Sequence, residues 1–168
     1  MNIINITMKN TFRNANEAYE YLHDKIIREG VDFADTKALF NVGFYITDPM
    51  DNKIINRERD WKYDYADAEW KWYLSEDNNI NKLGDIYGKI PQIWKNMANE
   101  FGEVNSNYGW QWGRNDQIDY VVNLLENNKD TRQAAISIYD CKEHNTYTND
   151  TPCSYAVQFT ILHGRLDM

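Results

Sequence analysis

The sequence predicts an α+β fold in which helices pack on a mixed or antiparallel sheet. Three observations carry the prediction. Helix-period apolar patterns occupy the early and middle parts of the chain, while alternating β-branched and aromatic runs come late, at 134–139 and 155–162. No internal repeat or low-complexity linker divides the chain. At 168 residues and 42% hydrophobic it has enough apolar surface for one sizeable core, so 1–168 reads as a single domain.

The elements follow in order. Asn16 reads as the cap of a helix over 17–29, with Tyr19, Leu22, Ile26 and Ile27 on one face and Gly30 as its stop. Residues 38–46 read as a strand, followed by a turn at Asp48-Pro49-Met50-Asp51-Asn52. The spacing predicts an aromatic helix over 60–74, with Trp61, Tyr65, Trp72 and Tyr73 on one broad face and Glu69 among them. Residues 78–89 read as a polar loop. Pro91 suits the first turn of a helix over 92–101, which Gly102 ends. Residues 105–112 read as a loop and 116–127 as a helix. After the strand at 134–139 comes a polar excursion over 141–151. His163-Gly164 then reads as a hairpin turn, with a return strand starting at Arg165.

Pro152 fixes a kinked entry to the run Tyr155, Val157, Phe159, Ile161, which places the Cys153 thiol at the start of a half-buried strand. A thiolate there is a nucleophile for electron-poor carbon, and the same address also suits an inert core cysteine. Bulk composition narrows the classes. A net charge of −8 with scattered Lys and Arg argues against nucleic-acid or anionic-membrane binding, though not against a pocket for one phosphate. Two cysteines, Cys141 and Cys153, make no disulfide framework. The opening Met1-Asn2-Ile3-Ile4-Asn5-Ile6 is too short for a signal peptide, so a cytoplasmic location is expected. His23, His144 and His163 lie far apart in sequence without ligand-spaced partners, so no metal is expected.

Several blocks stand in a recognisable order. They are Ala68-Glu69-Trp70-Lys71-Trp72-Tyr73-Leu74-Ser75; Ile93-Trp94; Asn107-Tyr108-Gly109-Trp110-Gln111-Trp112 followed by Asp116-Gln117-Ile118; Asp130-Thr131-Arg132-Gln133; and Pro152-Cys153 leading to Gln158-Phe159. Together, over roughly residues 35–168, they resemble the thymidylate synthase family. The stretch 102–110 looks closest to its phage deoxycytidylate hydroxymethylase branch, while Gln111-Trp112 and the Glu69 block look like ordinary synthases.

The resemblance implies a thymidylate synthase-like fold and transfer of a one-carbon unit from 5,10-methylenetetrahydrofolate, as co-substrate, to C5 of a pyrimidine deoxynucleotide monophosphate. The leading expectation is methylation of dUMP to dTMP by a homodimer. The alternative within the family is hydroxymethylation of dCMP or dUMP. By resemblance Cys153 is the nucleophile at C6, Glu69 the acid-base carboxylate, and Tyr108 the residue positioning a water at C5. Trp94 packs near the folate, and Arg132 reaches across the dimer to the nucleotide phosphate. Lys37 supplies a further charge, though a solvated surface lysine fits its position as well. Among aromatic side chains the Glu69 carboxyl is expected above its ordinary pKa.

Two departures matter. Gln133 stands where the family carries a second Arg, and Ser154 stands where many synthases carry His. The return strand stops at Met168, before the family's Arg-Ser-x-Asp block, so the chain reads as cut short at its C-terminal end. These features leave a non-catalytic or split-half binding protein as a rival. The abundant Trp and Tyr raise a third reading, a carbohydrate-binding module, which requires an exposed aromatic row.

Overall fold

A computed structural model describes residues 10–144, 147 and 149–168. The opening segment, 1–6, and part of the 141–151 excursion lie outside the described residues. The chain divides into two compact units, the boundary falling between Lys62 and Tyr63.

In the first unit, β1 (Thr11–Phe12) pairs parallel with β4 (Tyr45–Ile46), in register Thr11 to Tyr45 and Phe12 to Ile46. Helix α1 (Ala15–Glu29) begins two residues earlier than the sequence suggests. Asn14, not Asn16, is its cap, and its side chain accepts from the Glu17 amide at 2.9 Å. Asn16 is instead a helical residue whose side chain takes the Ile55 amide. The expected strand over 38–46 is not continuous. β2 (Val31–Phe33) and β3 (Thr36–Ala38) make a tight antiparallel hairpin, and Asn41, at φ 56°, turns the chain before β4. Phe12 is buried, ringed by Tyr21 and Phe44.

The second unit carries most of the core. Helix α2 (Tyr63–Leu74) buries Ala68 and Trp72 against α3 (Ile80–Tyr87), which buries Ile80 and Leu83. The stretch expected as a polar loop is therefore a helix. Asn79 caps it through the Asn81 amide, Gly88 closes it at φ 82°, and its apolar residues fall on one stripe. Helix α4 (Gln92–Met97) starts after Pro91 as expected but stops short of Gly102. The Asn99 side chain accepts from the amides of Phe101 and Glu103, a local turn that replaces the next helical bonds.

Residues 108–113, expected as loop, form helix α5 (Tyr108–Gly113), which runs through a 3₁₀ turn (Arg114–Asp116) into α6 (Gln117–Asn127). A second, smaller core gathers Val121, Ala134 and Ile136 with Val157 and Phe159 against them. Here β5 (Ala135–Ser137) pairs antiparallel with β6 (Ala156–Gln158), Ile136 opposite Val157. The alternating run at 155–162 is split at Phe159, whose amide still bonds the Ala134 carbonyl at 2.8 Å, in the register of β5 and β6. β7 (Thr160–Leu162) then pairs with β8 (Arg165–Asp167) around His163-Gly164, both at positive φ, 52° and 75°. That is the hairpin the sequence predicts.

Candidate active site

Helix α2 places Tyr65, Glu69 and Tyr73 four residues apart, hence on one face, turned toward α4 and α5. Glu69 is half-buried. The Tyr65 hydroxyl donates to its Oε1 at 3.0 Å, and Tyr73 bonds the same carboxylate. Burial pushes the Glu69 carboxyl above its ordinary pKa, while the bonds from Tyr65 and Tyr73 pull it back. Burial, with the nearby carboxylate, also drives both tyrosine hydroxyls up. On α4, Trp94 sits edge-on to the buried Trp72, and its indole Nε1 donates to the Tyr65 hydroxyl at 2.6 Å.

Helix α5 enters from the other side. Asn107, fully buried, accepts the Trp110 amide and donates to the Asp77 carbonyl at 3.1 Å, which fixes the start of the helix against the end of α2. Gly109 makes that approach possible, because a Cβ there would lie inside the Tyr73 carbonyl group. The result is Tyr108 edge-on to Tyr73, with ring centroids 5.7 Å apart, and stacked on Trp112 at 5.9 Å.

The Tyr108 hydroxyl reaches the cysteine segment. It accepts the Cys153 amide at 2.8 Å and the Ser154 amide at 3.3 Å. Residues 150–155 are held at further points. Both Asp150 carboxylate oxygens take bonds from Ser106, its backbone amide at 2.7 Å and its hydroxyl at 2.8 Å. The Tyr139 hydroxyl donates to the Pro152 carbonyl at 2.8 Å. Cys153 itself is exposed and sits in a bend before β6, which corrects the expectation of a half-buried strand position. The alternation begins only at Ala156, so the thiol is set by loop bonds and not by a strand.

Glu69, Trp94, Tyr108 and Cys153 thus lie on one connected path of bonds and ring contacts. Arg132 is exposed in the turn before β5 and is not on that path. Lys37 belongs to the first unit, on β3 opposite Asp32, with 4.0 Å between the charges. Sequence reasoning missed the roles of Tyr73, Tyr139 and Asp150. For Tyr73 the signal was present, as the i+4 partner of Glu69. For Tyr139 and Asp150 there was none, because their partners are 13 and 44 residues distant in sequence. A polar cleft of about 350 Å³ bordered by Asn78, Asn99, Glu103, Asn105 and Trp110 contains none of the predicted site residues. The aromatic row a carbohydrate-binding module needs is absent among Trp70, Trp72 and Trp94, since Trp72 is fully buried and Trp94 half-buried.

The Glu69 carboxylate, among aromatic hydroxyls, is joined through Tyr73 and Tyr108 to the segment of the exposed Cys153. The thymidylate synthase family model matches residues 17–168. The chain belongs to the thymidylate synthase family. Its relatives come from two branches. It is 34% identical over 147 residues to deoxycytidylate 5-hydroxymethyltransferase of Enterobacteria phage T4, covering 82% of this chain and 56% of that one. It is 28% identical over 119 residues to thymidylate synthase of Bacillus subtilis subsp. natto, covering 64% and 40%. The chain spans about half the length of the curated relatives it matches.

Among solved structures, the thymidylate synthase of T4 phage superposes with a TM-score of 0.51 at 27% identity over 62% of this chain and 41% of that one. Thermostable thymidylate synthase A of Bacillus subtilis gives 0.55 at 24% identity over 90% and 61%, a likeness of fold. The α+β architecture of this family member is therefore a thymidylate synthase-like one. No helix among its described residues is long and apolar enough to cross a membrane.

Proposed function

We propose that this chain carries the one-carbon transfer chemistry of its family, from 5,10-methylenetetrahydrofolate to C5 of a pyrimidine deoxynucleotide monophosphate, with dUMP to dTMP as the leading reaction. The observation that carries the proposal is the path from the Glu69 carboxylate through Tyr73 and Tyr108 to the amides of Cys153 and Ser154. Pyrimidine C5 is a poor nucleophile until a group adds at C6, and an exposed thiolate held by a fixed loop suits that addition. The Cys153 sulfur bonds to C6, and the ring's electron pair moves to C5, which attacks the folate methylene carbon. The C5 proton then leaves to a base as the bond between the methylene carbon and the folate nitrogen breaks. A hydride from the folate, which is oxidised to dihydrofolate, makes the methyl group (water in its place makes hydroxymethyl), and elimination of the sulfur from C6 restores the ring.

Glu69 is the group suited to moving protons in those steps. Half-buried, with its proton affinity raised by burial and trimmed by two hydroxyls, it holds and returns a proton more readily than a solvated carboxylate. Tyr108 has its oxygen engaged by two amide donors, so its own proton is left to donate outward, to a water or a substrate atom. We assign Trp94 to the folate side, and Arg132 and Lys37 to the nucleotide phosphate, with Arg132 acting across a homodimer in the cytoplasm. A guanidinium fork matches phosphate oxygens, and Gln133 beside it offers only neutral donors.

A second reading, hydroxymethylation of dCMP, is favoured by the longer and more identical match to the phage hydroxymethyltransferase. Both products require the C5 proton to leave. Tritium release from C5-labelled dUMP and dCMP, with methylenetetrahydrofolate present, tests the shared step and shows which base is used. The expected result is release from one of the two, lost in Cys153→Ala. The absence of release from both, even when a C-terminal piece of a relative is added, would leave only the non-catalytic reading.

A further inference from the structure

We propose that Tyr65 and Tyr73 are a pair of positioning residues that clamp the Glu69 carboxylate from both sides along its own helix and hold it as a proton acceptor. The proposal rests on the reading of Glu69 as the proton-transferring group. Its argument starts from a donor that has no choice. An indole N–H can only donate, so the 2.6 Å bond from Trp94 Nε1 fixes the Tyr65 oxygen as an acceptor. The Tyr65 proton is then directed to Glu69 Oε1, 3.0 Å away. Tyr73, one turn further on, bonds the same carboxylate. Two aromatic hydroxyls donating to one carboxylate satisfy its ionised form and offer its protonated form less.

The neighbourhood supplies nothing stronger. The groups acting on Glu69, among the described residues, are these two tyrosines and its own burial. Tyr87 of α3 lies edge-on to Tyr65 and carries the Lys89 ammonium over its ring, 5.5 Å from the centroid, and Tyr108 of α5 lies edge-on to Tyr73. The ion pair of Lys71 with Asp67 on α2 is solvent-exposed and is not among the groups acting on the carboxylate. Among the described residues no cation acts on Glu69 to keep it ionised, so there the hydroxyls oppose the burial alone. Burial with no opposing bonds leaves a carboxyl protonated and unable to take a proton.

The test follows the Glu69 carboxyl directly, in the full chain carrying ¹³C-labelled glutamate, by its carbon shift against pH, with the resonance assigned by its loss in Glu69→Gln. Tyr65→Phe and Tyr73→Phe are each expected to raise the titration midpoint, as a gain in proton affinity of about three- to tenfold per lost bond, and the double variant is expected to raise it further. Trp94→Phe, which leaves Tyr65 in place but removes the donor that orients it, is expected to shift the midpoint the same way by less. Near-UV circular dichroism reports whether each variant keeps its packing, and if a tyrosine variant loses it, Trp94→Phe carries the decision. Midpoints unchanged in folded variants overturn the clamp. The readout does not need turnover. If the midpoints shift while wild-type protein releases no tritium from C5, the clamp stands and the proposed reaction falls.

Discussion

The two sides of the site are built in opposite ways. Glu69 lies half-buried inside a helix and takes its partners from the same helix, at spacings of four residues, one of which, Tyr65, is in turn fixed by the Trp94 indole of α4. Cys153 lies exposed in a bend and is held by bonds that reach back 45 residues to Tyr108, while its flank at Asp150 is held by Ser106. The carboxylate is therefore tuned by local periodicity and burial, and the thiol is aimed by long-range backbone bonds. Damage should follow the same division. Changes near Glu69 should move proton affinity, and changes near Cys153 should move loop position.

The largest effect tests the exposed side. Cys153→Ala should lower C5 tritium release by about three orders of magnitude or more, as loss of a covalent nucleophile does, while leaving the unfolding midpoint nearly unchanged because the side chain is exposed. A large loss of stability instead would mean that the thiol is structural. Next, Gly109→Ala should disrupt the join between the two sides. The added methyl meets backbone, which cannot rotate away, so a loss of about 3 kcal/mol or more is expected by urea denaturation.

Asp150→Asn should act more gently. It replaces a carboxylate that accepts from both the Ser106 amide and hydroxyl with a weaker neutral acceptor, at a cost of about 1–2 kcal/mol. The specific signature is faster alkylation of Cys153 with no change in the Glu69 midpoint. If both moved together, the two sides would not be separable.

The smallest effect is a pH dependence. The folded-state pKa of Glu69 is raised, so the folded protein holds that proton more tightly than the unfolded chain does. Its contribution to stability is then full below the ordinary glutamate value of about 4.3 and is lost as pH rises through the raised folded value. Wild type should lose more stability than Glu69→Gln as pH rises above the ordinary glutamate value of about 4.3. Parallel urea midpoints across that range would contradict the assignment of burial as the dominant influence on this carboxyl.

The same division explains what could be read in advance. The Tyr65, Glu69, Tyr73 face is visible as a spacing in one helix, and so were Pro91 as a helix start and His163-Gly164 as a hairpin. Helix α3 was hidden by its polar residues and by Gly84, although Ile80, Leu83 and Tyr87 fall on one face. Helix α5 was hidden by glycines and aromatics of low helical preference, and it forms because Asn107 anchors its first turn in the core. The split of the last strand lies where its pairing partner changes from β5 to β8, a tertiary choice with no local trace. The identity of Cys153 was plain in sequence, but its exposure was not, because exposure is decided by Tyr108, Tyr139 and Ser106.

Gly109 leaves α2 and α5 touching through main chain, with no side chain between them to act as a cushion. A contact without a cushion transmits displacement without slack. A fraction of an ångström gained or lost at the end of α2 therefore arrives undiminished at Tyr108, and through its hydroxyl at the amides beside the thiol. The distance between acid and nucleophile is thus gauged by bare backbone, and a refashioned substrate pocket on either side would inherit that spacing unchanged.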